Sequence, residues 1–451
     1  MLQNLPKHER YAGAYRRFGY FWGLGIEHET YLATSQSIDI TTFEGHMAPE
    51  RYSVDYYKSY KSETLAPMLG RILDICGGTL SVPLFMNSHS LTKCDLSGQH
   101  ATVRTKGTPP NPLFAGQTVF EYLCQHSEWL RKELNATYMW DGDTVEFMTQ
   151  RFYRATVDTV LRELEEAETR FVAEIAKAPP LAHGPLRLAS PTNEPFASYL
   201  TNPGNVSMFN NGTIHINVTL PTQLGFDKKP LWPADFLEKH RVLARFVQWL
   251  EPLWIAIHGS PDPFAAVSDR YSAASQRVAV SRYIGMGTFD TERMAVGKIL
   301  TTSVAPWYDR FYARTDYVRR DEIGLDINYN KHWAHGLELR FFDQLPATDL
   351  RRILEQLVVL MDLALTTVPV ADPRQSTVWS EMAYEALHRG PGWRVQPVQM
   401  AALCAILRIR DEQKEPLSPS EALRWLFDRL ENRKGFCWSR MVEEQIGCCG
   451  F

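Results

Sequence analysis

The sequence predicts an α+β chain, and three observations predict it. Stretches such as TIHINVTL, residues 213–220, alternate apolar and polar residues with the period of a half-buried strand. Others, such as residues 154–178, carry apolar residues at helical spacing. Strand patterns stop after about residue 345, and everything beyond reads as helix.

Taken in order, residues 19–33 read as a strand. Residues 34–115 show no clean period, and TPPNPLFAGQ at 108–117 is a loop. The polar stretch 93–110 suits either a lid or a plain surface loop. A helix is expected over 117–134, a short strand at 144–149, and a long helix over 154–178 that stops at Pro179-Pro180. After the strand at 213–220 comes a helix over about 233–258, then strands at 323–330 and 335–345. The expected organisation is a main unit over 1–370, with 34–115 as an insertion or lid, and a helical appendage over 371–451.

Composition narrows the function classes. The chain has 451 residues, 44% of them hydrophobic and 22% charged, as an ordinary globular protein does. A formal net charge of -4 offers no general field for nucleic acid or an anionic membrane. No run approaches the roughly 20 apolar residues of a membrane span. The N-terminal stretch has no apolar signal core, and seven cysteines lack metal-ligand spacing. A cytoplasmic setting is therefore expected, without nucleic acid or membrane as partners.

The chemistry lies in polar residues inside strand patterns. GLGIEHETYL at 23–32 places Glu27 and Glu29 on one strand face, roughly 7 Å apart. Glu146 lies in the next strand, preceded by Asp141 and Asp143. His215 and Asn217 share a face of the 213–220 strand, and Glu338 shares one with Arg340. Buried carboxylates are costly unless paired or bound to a cation. Carboxylates, an imidazole and a guanidinium gathered by one sheet suit a divalent metal and a phosphate. On spacing alone, a solvated face of an antiparallel sheet explains each group better. A P-loop is excluded: Gly297-Lys298 has Glu292 and Ile299 where glycine and Ser/Thr are required. The GCCGF terminus is a poor prenylation signal and reads as a frayed tail.

These segments also carry a resemblance. GIEHE is similar to the G-x-E-x-E strand of the glutamate–cysteine ligase group within the glutamine synthetase superfamily. DGDTVEFMT, NNGTIHINVTLP and GLELRFFDQLP resemble its later carboxylate, histidine and E-x-R-x-x-D segments, in family order over roughly 320 residues. The match is best to the amidoligase-like branch of carboxylate–amine ligases. It implies a curved, mainly antiparallel sheet with helices on its outer face. It implies ATP and Mg²⁺ or Mn²⁺ as cofactors. Glu27, Glu29, Glu146, His215 and Glu338 would then be metal ligands, with Glu27, Glu338 and Arg340 catalytic. Arg340, Arg277, Arg282 and Asn217 would face nucleotide or substrate. The substrates would be an amino-acid carboxylate, glutamate by default, and an amine, which a peptide or protein side chain also supplies. Homo-oligomers are compatible with the resemblance. Two other readings remain: a guanidino-type kinase of the same fold, and a noncatalytic protein that binds metal or nucleotide.

Overall fold

The structure, a computed structural model, describes residues 6–16, 19–42, 62–86, 119–141, 144–151, 154–177, 184–189, 194, 196–199, 202–208, 212–226, 230–260, 267, 336–365 and 369–433. Ten strands and ten α-helices are numbered here in chain order among these residues. The expected strands at 323–330 and the polar stretch at 93–110 fall outside them, as do Arg277, Arg282 and the GCCGF end.

The chain is α+β, with one antiparallel and one mixed sheet. The first sheet has the order β10-β9-β1-β5-β4. Its strands are β1 (Phe21–Thr30), β4 (Tyr138–Asp141), β5 (Thr144–Met148), β9 (Gly212–Thr222) and β10 (Leu337–Asp343). All its pairings are antiparallel. The even-numbered residues of β1 and β9 form a mostly apolar rear face, which also takes His28, Thr30 and Thr222: Leu24, Ile26, Ile214, Ile216, Val218 and Leu220 are each at most 1% exposed. The odd-numbered residues, Glu27, Glu29, His215 and Asn217 among them, form the front.

The rear face packs on helices. α6 (Pro233–His258) runs against β9 and β10 and is also contacted by α7 (Ala347–Ala364), α8 (Thr377–Arg389), α9 (Pro397–Leu407) and α10 (Pro419–Glu431). A helix covered on so many sides should be apolar nearly all round. From Val242 to Ala256 every residue but Arg245 is buried. His240 fastens α6 to the sheet: its Nε2 accepts from the Leu220 amide at 3.1 Å, and its Nδ1 meets the Phe236 carbonyl at 2.8 Å. Pro252 lies inside α6 and has no N–H to give the carbonyl of Gln248. Trp379 Nε1 on α8 donates to that carbonyl instead, at 2.7 Å. The helices expected as an appendage over 371–451 therefore share, as far as residue 430, the hydrophobic cluster that lies behind the sheet.

Three local expectations are corrected. The strand expected over 19–33 is two strands, broken at Tyr31. β2 (Leu32–Ile40) leaves for the second sheet, and the Tyr31 ring stacks on Phe85 at 5.2 Å. The stretch read as patternless from 34 holds most of β2, then α2 (Ser62–Ile75) and β3 (Leu80–Met86). These strands join β6 (Leu186–Leu188), β7 (Phe196–Tyr199) and β8 (Asn202–Met208) in the order β6-β2-β3-β7-β8. Pro83 inside β3 hid it from a strand pattern; it sits opposite Ser37, where the ladder shifts register. Finally, the helix expected over 117–134 is α3 (Val119–His126) followed by α4 (Glu128–Glu133). Ser127 divides them because its hydroxyl caps α4, accepting from the Leu130 amide at 3.1 Å. α5 (Val157–Ile175) matches the expected long helix and packs on β1 and β5. Its start is fixed by Thr156, whose hydroxyl accepts from the Thr159 amide.

Candidate metal centre

Strand register brings the polar residues together. Across β1 and β9, Glu27 stands opposite His215, Glu29 opposite Thr213 and Gly25 opposite Asn217. On the other side of β1, Glu29 stands opposite Glu146. Across β9 and β10, Asn217 stands opposite Glu338. Directly opposed residues project to the same face of an antiparallel pair. The front of the sheet therefore presents four carboxylates, one imidazole and one guanidinium on neighbouring strands.

Glu27, His215 and Glu338 form the tight trio. All are buried, and one ligand atom from each lies within 4.8 Å of the others. His215 is the hub, at 0% exposure. Its Nδ1 is 3.5 Å from Glu27 Oε2, 3.5 Å from Glu29 Oε1 and 3.7 Å from Glu338 Oε1. On the other side of the ring, Nε2 lies 3.2 Å from Thr213 Oγ1, which donates to Glu29 Oε2 at 3.2 Å. A hydroxyl has one proton to give. With that proton donated to Glu29, the hydroxyl accepts from Nε2–H; in the neutral ring this leaves the Nδ1 lone pair facing the carboxylates. This tautomer is assigned from the hydrogen-bond pattern.

A kink in β10 positions the guanidinium. Leu339 pairs with Ile216 but Phe342 with Ile214, so the ladder carries an extra residue between them. Phe341 and Phe342 consequently both come to lie about 6 Å from Trp254 on α6, at 6.3 and 6.2 Å between ring centroids. The simple alternation expected for 335–345 is broken there. Arg340, at the bulge, returns to the front: its Nη1 donates to Glu338 Oε1 at 2.7 Å, and Nη2 lies 3.9 Å from Glu29 Oε1. Gly336 stands immediately before β10, where β9 runs too close for a side chain. A Cβ there would meet the Val218 carbonyl oxygen at 2.5 Å.

The expected site residues, Arg277 and Arg282 apart, fall on one sheet. Glu27, Glu29, Glu146, His215, Asn217, Glu338 and Arg340 all project from adjacent strands of one sheet. Glu146 is buried opposite Glu29 but outside the tight trio. Asn217 donates from Nδ2 to Glu27 Oε1 at 3.2 Å, so it orients a carboxylate. Arg277 and Arg282 lie outside the described residues. Thr213 had no signal beyond its place in the strand two residues before His215. A cleft of about 1220 Å³ opens elsewhere, where α1 (Lys7–Arg16) meets α6, α7 and α10; Lys7, His8, Arg352 and Glu431 are among its lining residues. It shares no residue with the sheet constellation.

The donor set fits a divalent cation. Two carboxylates and a neutral imidazole are ligands for Mg²⁺, Mn²⁺ or a similar metal, and imidazole favours the softer members.

No family model matches the chain. It is 34% identical over 394 residues to "Uncharacterized protein R704" of Acanthamoeba polyphaga mimivirus, covering 85% of this chain and 70% of that one. The chain belongs to the family of that viral protein. Since that relative is uncharacterized, membership carries no activity with it, and the chemistry rests on the site. Among the described residues, no helix is long and apolar enough to cross a membrane.

Proposed function

We propose that the protein is an ATP-dependent carboxylate–amine ligase with the sheet of the glutamine synthetase and glutamate–cysteine ligase superfamily. One observation carries the reading: Glu27, His215 and Glu338, from three different strands, converge within 4.8 Å, with Arg340 hydrogen-bonded to Glu338. The four segments that resemble the superfamily supply most of this face.

In the proposed reaction an oxygen of the substrate carboxylate bonds to the γ-phosphorus of ATP as the bond to ADP breaks. The amine nitrogen then bonds to the activated carbonyl carbon as phosphate leaves, and the ammonium proton passes to a base. Glu27, His215 and Glu338 would hold a divalent cation, which when bound neutralises charge on the nucleotide phosphates. Glu29 and Glu146 add negative potential beside this trio and suit a second cation. Arg340 carries a fork of N–H donors that matches phosphoryl oxygens. Its tie to Glu338 holds it next to the cation position. Asn217 keeps Glu27 turned toward His215, and the apolar rear of the sheet closes the site to water from behind.

The test is ADP release from Mg-ATP with a panel of amino acids and a panel of amines. Release that needs both partners, with a product equal to their combined mass less one water, is the expected result. Glu27→Gln and Glu146→Gln should abolish it while keeping the wild-type circular dichroism. Release that needs only a guanidino compound would mark a kinase instead. Wild-type turnover by both variants would refute the ligase reading.

A further inference from the structure

Behind the proposed metal face, three residues form a brace that the ligase chemistry does not use. His28 sits between Glu27 and Glu29 on β1 but points to the rear, and it is 8% exposed. Its Nδ1 hydrogen-bonds to Glu168 of α5. Its Nε2 meets Gln344 Nε2 at 2.7 Å. An imidazole with Nδ1–H given to a carboxylate has a lone pair at Nε2, so the Gln344 amide donates. Gln344 directly follows β10 and is 3% exposed.

The sheet order makes this contact unusual. β9 lies between β10 and β1, so Gln344 has to cross a whole strand to reach His28. It crosses next to Gly212, the first residue of β9, which pairs with Thr30. A Cβ on Gly212 would lie 2.5 Å from Gln344 Oε1 and 2.3 Å from the Glu29 carbonyl oxygen. Glycine leaves the gap through which the amide passes.

We propose that His28 is a positioning residue: held by Glu168 and Gln344, it locks β1 and the end of β10 in the relative placement that brings Glu27 and Glu338 together on a cation. The proposal rests on the metal reading above. Partners behind a ligand commonly contribute about tenfold or more to metal affinity by fixing its orientation. Here the brace acts through the strands, because His28 and the carboxylates occupy opposite faces of β1.

The experiment is a Mn²⁺ titration of the full chain by calorimetry, with urea unfolding run alongside. Wild type should bind and Glu27→Gln should not. His28→Phe keeps the ring shape, and Gln344→Met removes one hydrogen bond and nearly preserves volume. Each should weaken Mn²⁺ about tenfold. The double variant should be no weaker than the worse single one, because both break one connection. A residue that only supports the fold would lower the urea midpoint and leave the affinity alone. If His28→Phe does not fold, Gln344→Met decides. Binding within twofold of wild type by Gln344→Met, with binding lost in Glu27→Gln, overturns the brace and spares the metal site. A wild-type chain that takes no Mn²⁺ overturns both.

Discussion

Pro252 and Trp379 should be energetically coupled, and a double-mutant cycle measures the coupling. Pro252 leaves the Gln248 carbonyl without its helical donor, and Trp379 Nε1 fills that role at 2.7 Å. Trp379 is 0% exposed, so no water substitutes easily. Trp379→Phe orphans the carbonyl, which costs about 1–3 kcal/mol, and leaves a void worth roughly another 1 kcal/mol or more. In a Pro252→Ala background residue 252 regains an N–H, and the helix satisfies the carbonyl itself. The void cost stays and the orphan cost goes. Trp379→Phe should therefore be milder there by about 1–2 kcal/mol. Urea unfolding of the four proteins, followed by far-ultraviolet circular dichroism, gives the four stabilities. Additivity within about 0.5 kcal/mol would show that Trp379 does not replace the missing helical bond.

Three further outcomes are expected. Mn²⁺ at a hundred times its dissociation constant should stabilise the wild type by about 2.7 kcal/mol. Glu27→Gln, whose amide oxygen still accepts from Asn217, should lose most of that gain, as thermal melts with and without metal will show. Glu251 on α6 is fully buried, and burial pushes its carboxyl well above the ordinary carboxylate range. The folded state then holds a proton that the unfolded state has released. Wild-type stability should fall by about 1.4 kcal/mol per pH unit from pH 4.5 up to the folded pKa. Glu251→Gln should lack that slope in urea unfolding across pH 5–8. His8 behaves oppositely to an ordinary buried imidazole. Burial pulls its pKa down, but the hydrogen bond to Glu431 and the charges of Glu355 and Glu431 outweigh that and hold it above the usual value. Its contribution is complete below pH 6.5 and disappears as pH rises through the raised value, so the urea midpoint of His8→Gln should change less between pH 6.5 and 8.

The residues of the front face were legible because a polar residue inside an otherwise apolar strand is a local signal. β1, β5, β9 and β10 each carry one or two, and the period of two fixes which residues share a face. The long helices α5 and α6 were legible for a similar reason, through strong period and, for α5, a proline stop. The second sheet was not, because its strands are short, are interrupted by Pro83, or begin with an Asn202-Pro203-Gly204 turn signature. Its pairings come from partners far along the chain, which local pattern does not record. His28 was not singled out from the sequence, because its meaning depends on Gln344 and Glu168, which lie 316 and 140 positions away. The bulge at Arg340 was hidden because FF reads as alternation slipping by one and gives no hint of which residue is extra.

β9 holds the middle place between β1 and β10, and this has a consequence for biosynthesis. As the polypeptide leaves the ribosome, the first acidic strand is followed by some 180 residues before its imidazole partner appears, and by more than 300 before Glu338 does. Until then the nascent chain carries only part of the proposed ligand set, without the strand that brings Glu338 and Arg340. Any product ending before Glu338 lacks the third member of the proposed cation site, however well its earlier elements have folded.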